Sequence, residues 1–271
     1  MSKTWFITGT SRGFGRVWTE AALARGDKVA ATARNTDNLK DLVERYGDSI
    51  LPIQLNVDDR EADFAAVRQA FEHFGSIDIA INNAGYGQFG AVEELSEQEA
   101  RQQMETNLFG ALWITQAVLP YMREQGHGHI LQVSSVGGID AYAGLGIYNA
   151  SKWALEGLTE ALNKEVASFG IKLTLIEPGG FSTDWAGDSA KHAQPIDAYN
   201  SIRDGRPTGK SAAAGEPEAT ADAILKVVDS DNPPLRLLLG VYGVEHVREV
   251  YPERLKAWAE WGDVSIAAQG N

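Results

Sequence analysis

The chain carries 271 residues, 44% of them hydrophobic and 23% charged, an ordinary balance for one large α/β domain with a sizeable core. Its formal net charge of −13 argues against nucleic acid or an anionic membrane as a partner, though not against a small anion held by a few local cations. Cysteine is absent, which excludes disulfides and thiol catalysis, and His73, His127, His129, His192 and His246 are too scattered to suggest a metal.

In chain order, "MSKTWFITGT" enters a strand pattern almost at once, without room for the apolar region of a secretory leader. The longest apolar run, around "GALWITQAVLP", is too short to span a bilayer. A soluble, cytoplasmic protein without a membrane partner is expected. Strands are predicted at "TWFITG", "KVAATA", "ILPIQL", "IDIAIN", "HILQVS", "KLTLIE" and "LRLLLG". Most are continuous apolar runs rather than alternating ones, as parallel strands covered on both faces would be. Helical patterns lie between them, including two long ones at 97–126 and 148–170. Gly26, Gly47, Gly75, Gly126 and Gly170 stand where left-handed helix ends are wanted. The alternation predicts a single α/β domain over 1–271, a Rossmann-type doubly wound sheet of about seven parallel strands with helices on both faces. The stretch 181–215 breaks the rhythm with Gly, Pro, Ser and charge, and a connection that long in a compact domain reads as a substrate lid. We expect 184–213 to be mobile until cofactor and substrate bind.

The first strand runs into "TGTSRGFG", so Gly9, Gly13 and Gly15 sit at a strand-to-helix turn. Glycines there let backbone N–H groups approach a pyrophosphate, and the positive helix end favours the anion. Further on, "YNASK" sets Tyr148 and Lys152 four residues apart on one helical face. Two readings compete at this point: an ordinary surface helix, or a phenol whose acidity is raised by a neighbouring cation.

"TGTSRGFG", "NNAG" at 82–85, "TN" at 106–107, "QVSS" at 132–135 and "YNASK" at 148–152 occur in an order that resembles the short-chain dehydrogenase/reductase family, as far as "EPGG". The segment "NNAGYGQFGAVEELS" is nearest to hydroxysteroid and retinol dehydrogenase-like members. The resemblance implies that Tyr148 is the acid/base, its pKa lowered by Lys152, which also bonds the nicotinamide ribose. It implies that Ser135 rather than adjacent Ser134 orients the substrate carbonyl, and that Asn107 holds a water extending the relay from Lys152. Cofactor contacts are implied at Gly9, Ser11, Arg12, Gly13, Phe14 and Gly15, at Asn83, Ala84 and Gly85, and at Pro178, Gly179 and Thr183. Asn56, with Val57, stands where the family commonly has Asp facing adenine, and Asp58 reads as a helix cap.

The cofactor follows from the end of the second strand. An NAD-preferring fold places an acid there for the ribose hydroxyls; this chain has Ala33, then Arg34, with Arg12 on the facing loop. Two guanidinium groups suit a 2′-phosphate, so NADP(H) is expected over NAD(H). The expected activity is interconversion of a ketone or aldehyde with an alcohol by hydride transfer. A dinucleotide sensor without catalysis, and an epimerase or dehydratase on the same scaffold, are the alternatives. The helices at 97–125 and 147–169 resemble those through which family members form dimers and tetramers. Trp258 and Trp261, one turn apart, suggest core packing or a subunit contact, and Trp185 a substrate contact.

Overall fold

The computed structural model describes residues 2–187, 189–204 and 214–270. Seven strands form one parallel sheet: β1 (Thr4–Ile7), β2 (Lys28–Ala33), β3 (Ile50–Gln54), β4 (Ile79–Asn82), β6 (Gly128–Val133), β7 (Ile171–Pro178) and β9 (Arg236–Leu239). Their spatial order is β3-β2-β1-β4-β6-β7-β9, every neighbouring pair parallel. Two two-residue strands, β5 (Gln88–Phe89) and β8 (Lys191–His192), pair separately.

Each strand feeds side chains alternately to two cores. Trp5 and Ile7 of β1 pack with Trp18 of α1 (Gly13–Ala24), Leu42 of α2 (Lys40–Tyr46) and Ile224 of α8 (Ala221–Val228). Phe6, between them, points the other way, toward Val67 of α3 (Arg60–Phe74), Ile114 and Val118 of α5 (Gly110–Gln125) and Leu162 of α6 (Gly146–Val166). Helices therefore cover both faces, which is why the strands read as unbroken apolar runs. The strand order reverses between β1 and β4, opening a crevice at the carboxyl ends of the strands. The remaining helices are α4 (Glu97–Met104), α7 (Asn200–Asp204), α9 (Val241–Glu260) and α10 (Gly262–Ala267).

Several expectations need correction. The helix expected over 97–126 is broken: α4 ends in a π-helical turn, Glu105–Phe109, before α5 begins. Asp59, not Asp58, caps α3, accepting from the Ala62 N–H at 3.1 Å. Asp58 instead accepts from Gln102 (2.7 Å) and Thr106 (2.8 Å), tying the β3–α3 loop to α4 and the π turn. Trp258 and Trp261 are 69% and 66% exposed, so neither packs in the core. The 181–215 stretch is not shapeless. It contains 3-10 turns at Asp184–Ala186 and Asp197–Tyr199 as well as β8 and α7. Residues 205–213 of the expected lid lie outside the described residues.

Candidate active site

The glycine turn is built from both sides. Gly9 and Gly13 have φ of 70° and 58°, the left-handed region that disfavours any side chain. Gly15 is needed for closeness instead: a Cβ there would stand 2.4 Å from the Gly9 carbonyl oxygen and 2.5 Å from Asn83 Nδ2. The Asn83 side chain is engaged by the turn, donating to the carbonyls of Thr8 (2.9 Å) and Gly9 (3.0 Å). Thr8 Oγ1 in turn accepts from the N–H groups of Asn83 and Ala84, both at 3.0 Å. Helix α1 then starts with no side-chain cap and no acidic residue in its first turn. Its free N–H groups and positive end suit an anion, so the turn fits a dinucleotide pyrophosphate. Phe14 stacks on Trp18 at 5.2 Å and meets Phe181 edge-on at 5.1 Å, linking the turn to the start of the lid.

At the end of β2, Arg34 is exposed at the cleft beside Asn56 and Val57, with Ala33 buried behind it. Arg12, in the glycine turn, also lines the cleft. Its Nη2 donates to Ser189 Oγ at 2.6 Å and its Nη1 stands 3.6 Å from Asp184. This cation of the glycine turn is therefore bonded to the segment that follows β7. Thr183 caps the first lid turn, accepting from the Trp185 N–H at 3.4 Å, and lies 3.9 Å from where a Cβ on Gly13 would be. Pro178 ends β7, and Gly179 donates from its N–H to the Leu239 carbonyl at 3.0 Å.

The side chains expected to be catalytic converge from the turn after β6, the π turn and α6. Lys152 Nζ donates to the Val133 carbonyl at 2.7 Å and lies 5.8 Å from the centre of the Tyr148 ring. Both residues are buried. The Tyr148 pKa is not lowered on balance as expected: burial pushes the phenol up to about 12, while the nearby Ser135 hydroxyl pulls the other way. The same loss of water pushes Lys152 down to about 8. Spacing on a helix puts the two side chains near each other but says nothing of the hydration both lose. Ser135 caps the 3-10 turn Val136–Gly138, its Oγ accepting from the Gly137 N–H at 3.0 Å.

Asn107 occupies the π turn, where the widened backbone gives its amide room to bond elsewhere. It donates to the Tyr86 carbonyl (3.0 Å) and Ser151 Oγ (3.2 Å), and accepts from the Tyr86 N–H (3.1 Å). A Cβ on Gly85 would meet Asn107 Oδ1 at 3.1 Å and Lys152 Nζ at 3.8 Å, so that glycine lets the two approach one point.

A cleft of about 1400 Å³ gathers these groups. Of the residues expected from sequence to be catalytic or to touch cofactor, Gly15 and Asn107 alone stand behind its wall rather than in it. The cleft also holds aromatic and charged residues of which only Trp185 was expected. Trp185 packs on the Tyr148 ring (4.9 Å) and on Phe89 (5.2 Å), which stacks on His192 (5.1 Å). Lys191 Nζ sits 4.5 Å over the Tyr86 ring. Buried Glu94 ties in the 191–203 segment, accepting from the N–H groups of Ala91 (2.7 Å) and Ile196 (2.8 Å) and pairing with Arg203. Apart from Trp185 these gave no local signal, because β5 and β8 find each other across a hundred residues.

A glycine turn on an uncapped helix at the switch point of a doubly wound sheet defines a Rossmann-type protein. The family model described as short chain dehydrogenase matches residues 3–194, and the chain belongs to that family of oxidoreductases. It is 41% identical over 273 residues to Oxidoreductase BOA17 of Botryotinia fuckeliana, covering 99% of this chain and 100% of that one. A short-chain dehydrogenase from Streptomyces avermitilis superposes with a TM-score of 0.91 at 38% identity, over 98% of each chain. An alcohol dehydrogenase from Thermococcus sibiricus, solved with 5-hydroxy-NADP, gives a TM-score of 0.76 at 27% identity, over 89% of this chain and 98% of that one.

Proposed function

We propose that the protein interconverts a small ketone or aldehyde with its alcohol, using NADP(H), with Tyr148 as the acid/base. One observation carries this reading: Ser135, Tyr148 and Lys152 line the same cleft as the glycine turn and the exposed Arg34. The cofactor's nicotinamide supplies or accepts the hydride when bound. The chain's own residues handle the oxygen and the proton. With its pKa raised by burial, Tyr148 holds its proton at neutral pH, a neutral phenol ready to give that proton to a carbonyl oxygen during reduction. Ser135 fixes the same oxygen by its hydroxyl. Lys152, poorly solvated and fixed by the Val133 carbonyl, is placed to favour the phenolate once the proton has left, and to bond ribose hydroxyls. Trp185 and Phe89 wall the substrate side with aromatic surface, which suits an apolar carbonyl compound.

The phosphate preference rests on Arg12 and Arg34, with Ala33 offering no carboxylate. A charge-assisted hydrogen bond contributes about 1.5–3 kcal/mol, so each arginine should favour the phosphorylated cofactor roughly ten-fold or more. Steady-state assays with NADPH and NADH at equal concentrations test this. The parent should prefer NADPH, and Arg12→Ala with Arg34→Ala should raise the NADPH Michaelis constant steeply while changing that for NADH little. A parent that works better with NADH contradicts the assignment.

A further inference from the structure

We infer that Arg236 is a positioning residue for the catalytic group, clamping together α6 and β7, which carry Lys152 and Pro178, with the 3-10 turn that Ser135 caps resting on its partner Glu156. The inference rests on the proposed function for its catalytic meaning, and on geometry for the clamp. Arg236 begins β9, at the edge of the sheet, and does not line the cleft. Its Nη1 pairs with both Glu177 Oε1 (2.9 Å) and Glu156, while its Nη2 reaches Glu160 Oε1 at 2.9 Å. The inner two carboxylates are almost wholly enclosed, with side chains 6% (Glu156) and 1% (Glu177) exposed.

Each inner partner adjoins a site residue. Glu156 lies one helical turn beyond Lys152 on α6, so the two share a face. Glu177 immediately precedes Pro178 at the end of β7. The third connection runs through the 3-10 turn that Ser135 caps: a Cβ on Gly138 would stand 2.6 Å from Ser134 Oγ and 3.1 Å from Glu156 Oε1. The turn therefore rests directly on Glu156. Both of those oxygens are buried and have no hydrogen-bond partner among the described residues.

Packing alone does not account for such a cluster. Two enclosed carboxylates sharing one guanidinium are costly to desolvate, and apolar side chains of similar volume commonly serve stability as well or better. A guanidinium does what a hydrocarbon does not: its planar fork fixes the direction of each partner. Directed bonds to α6 and β7 hold two neighbouring backbones at one separation, which is what a proton donor and a cofactor turn require of each other.

The test compares Arg236→Met and Arg236→Lys with the parent, and Arg101→Met serves as control because it removes only the exposed Arg101–Glu97 pair. Ketone-dependent NADPH oxidation, NADPH affinity and amide hydrogen exchange are measured well below each unfolding midpoint. A displacement near 1 Å can reduce turnover about 100-fold, so we expect Arg236→Met to lower kcat by roughly 10- to 100-fold. NADPH affinity should stay within a few-fold, and Arg236→Lys should recover part of kcat. Exchange should quicken at 134–138, 150–156 and 176–179, and elsewhere stay as in the parent. Should Arg236→Met not fold, Glu177→Gln, which keeps the shape and removes the charge, should show the same pattern more weakly. A kcat equal to the parent's, or unchanged exchange in those segments, overturns the clamp. A parent inactive toward every carbonyl tested would sink the proposed reaction, while the exchange data would still decide whether Arg236 holds the segments.

Discussion

Tyr148 rises to about 12 and Lys152 falls to about 8 from one cause, the loss of water around each charged form. Asp63 on α3 shows the same force without any catalytic role. It is 0% exposed, neither carboxyl oxygen has a partner among the described residues, and burial, helped by the charges of Asp59 and Asp58, pushes it up to about 8. The sign of the consequence is fixed. Below the unfolded value of 3.8 the acid is neutral in both states and costs nothing by titration. Between that value and about 8 the unfolded chain ionises while the folded one holds its proton, so stability is lost as pH rises, and the loss levels off above. Asp63→Asn removes this dependence. Its unfolding midpoint, relative to the parent's, should climb between pH 5 and pH 8; a constant difference across that range would show Asp63 to be hydrated or paired.

At the scale of elements, the 191–203 segment is anchored by a carboxylate. Glu94 is kept down at about 2, first by the Ile196 N–H, then by the Arg203 guanidinium and the Ala91 N–H. Its depressed value makes the anchor fully present above pH 4.5 and lost as pH falls toward 2, so near-neutral conditions leave it intact. Glu94→Gln keeps the shape but removes the charge that orders these donors. Hydrogen exchange over 191–203 should quicken in this variant at pH 7 while β1 and β4 stay protected, and equal protection in both proteins would assign the anchoring elsewhere. None of this was legible locally, since Glu94 meets Ile196 and Arg203 from about a hundred residues away. The π turn escaped for a related reason: the periodicity of 97–126 is continuous, and the widening shows in the Gly110 N–H bonding back to the Glu105 carbonyl, five residues earlier. The seven main strands, by contrast, were readable because helices on both faces make each a plain apolar run. Asp58 and Asp59 mark the limit of such reading. Either could cap α3 by type, and the approach of Gln102 and Thr106 decides which does.

Taken whole, the molecule brings motifs spread over more than a hundred and seventy residues of sequence to one crevice, because the sheet order reverses between β1 and β4. Motif spacing carried the glycine turn, Ser135, Tyr148 and Lys152 to that crevice; it did not carry Trp185 or Phe89, whose positions depend on how the lid folds back. Against a net charge of −13, Arg12 and Arg34 place two cations along the cleft, where the proposed cofactor phosphate would bind. The central claim is that this assembly moves a hydride at one end and a proton through Tyr148 at the other. Tyr148→Phe separates the two, since the ring still packs against Trp185 while the donor is gone. General acid catalysis is typically worth about 10²–10⁴-fold. The decisive measurement is ketone-dependent NADPH oxidation by parent and Tyr148→Phe, with NADPH affinity determined alongside. The account predicts turnover lower by that factor and affinity within a few-fold of the parent; a variant turning over at near the parent rate would contradict it.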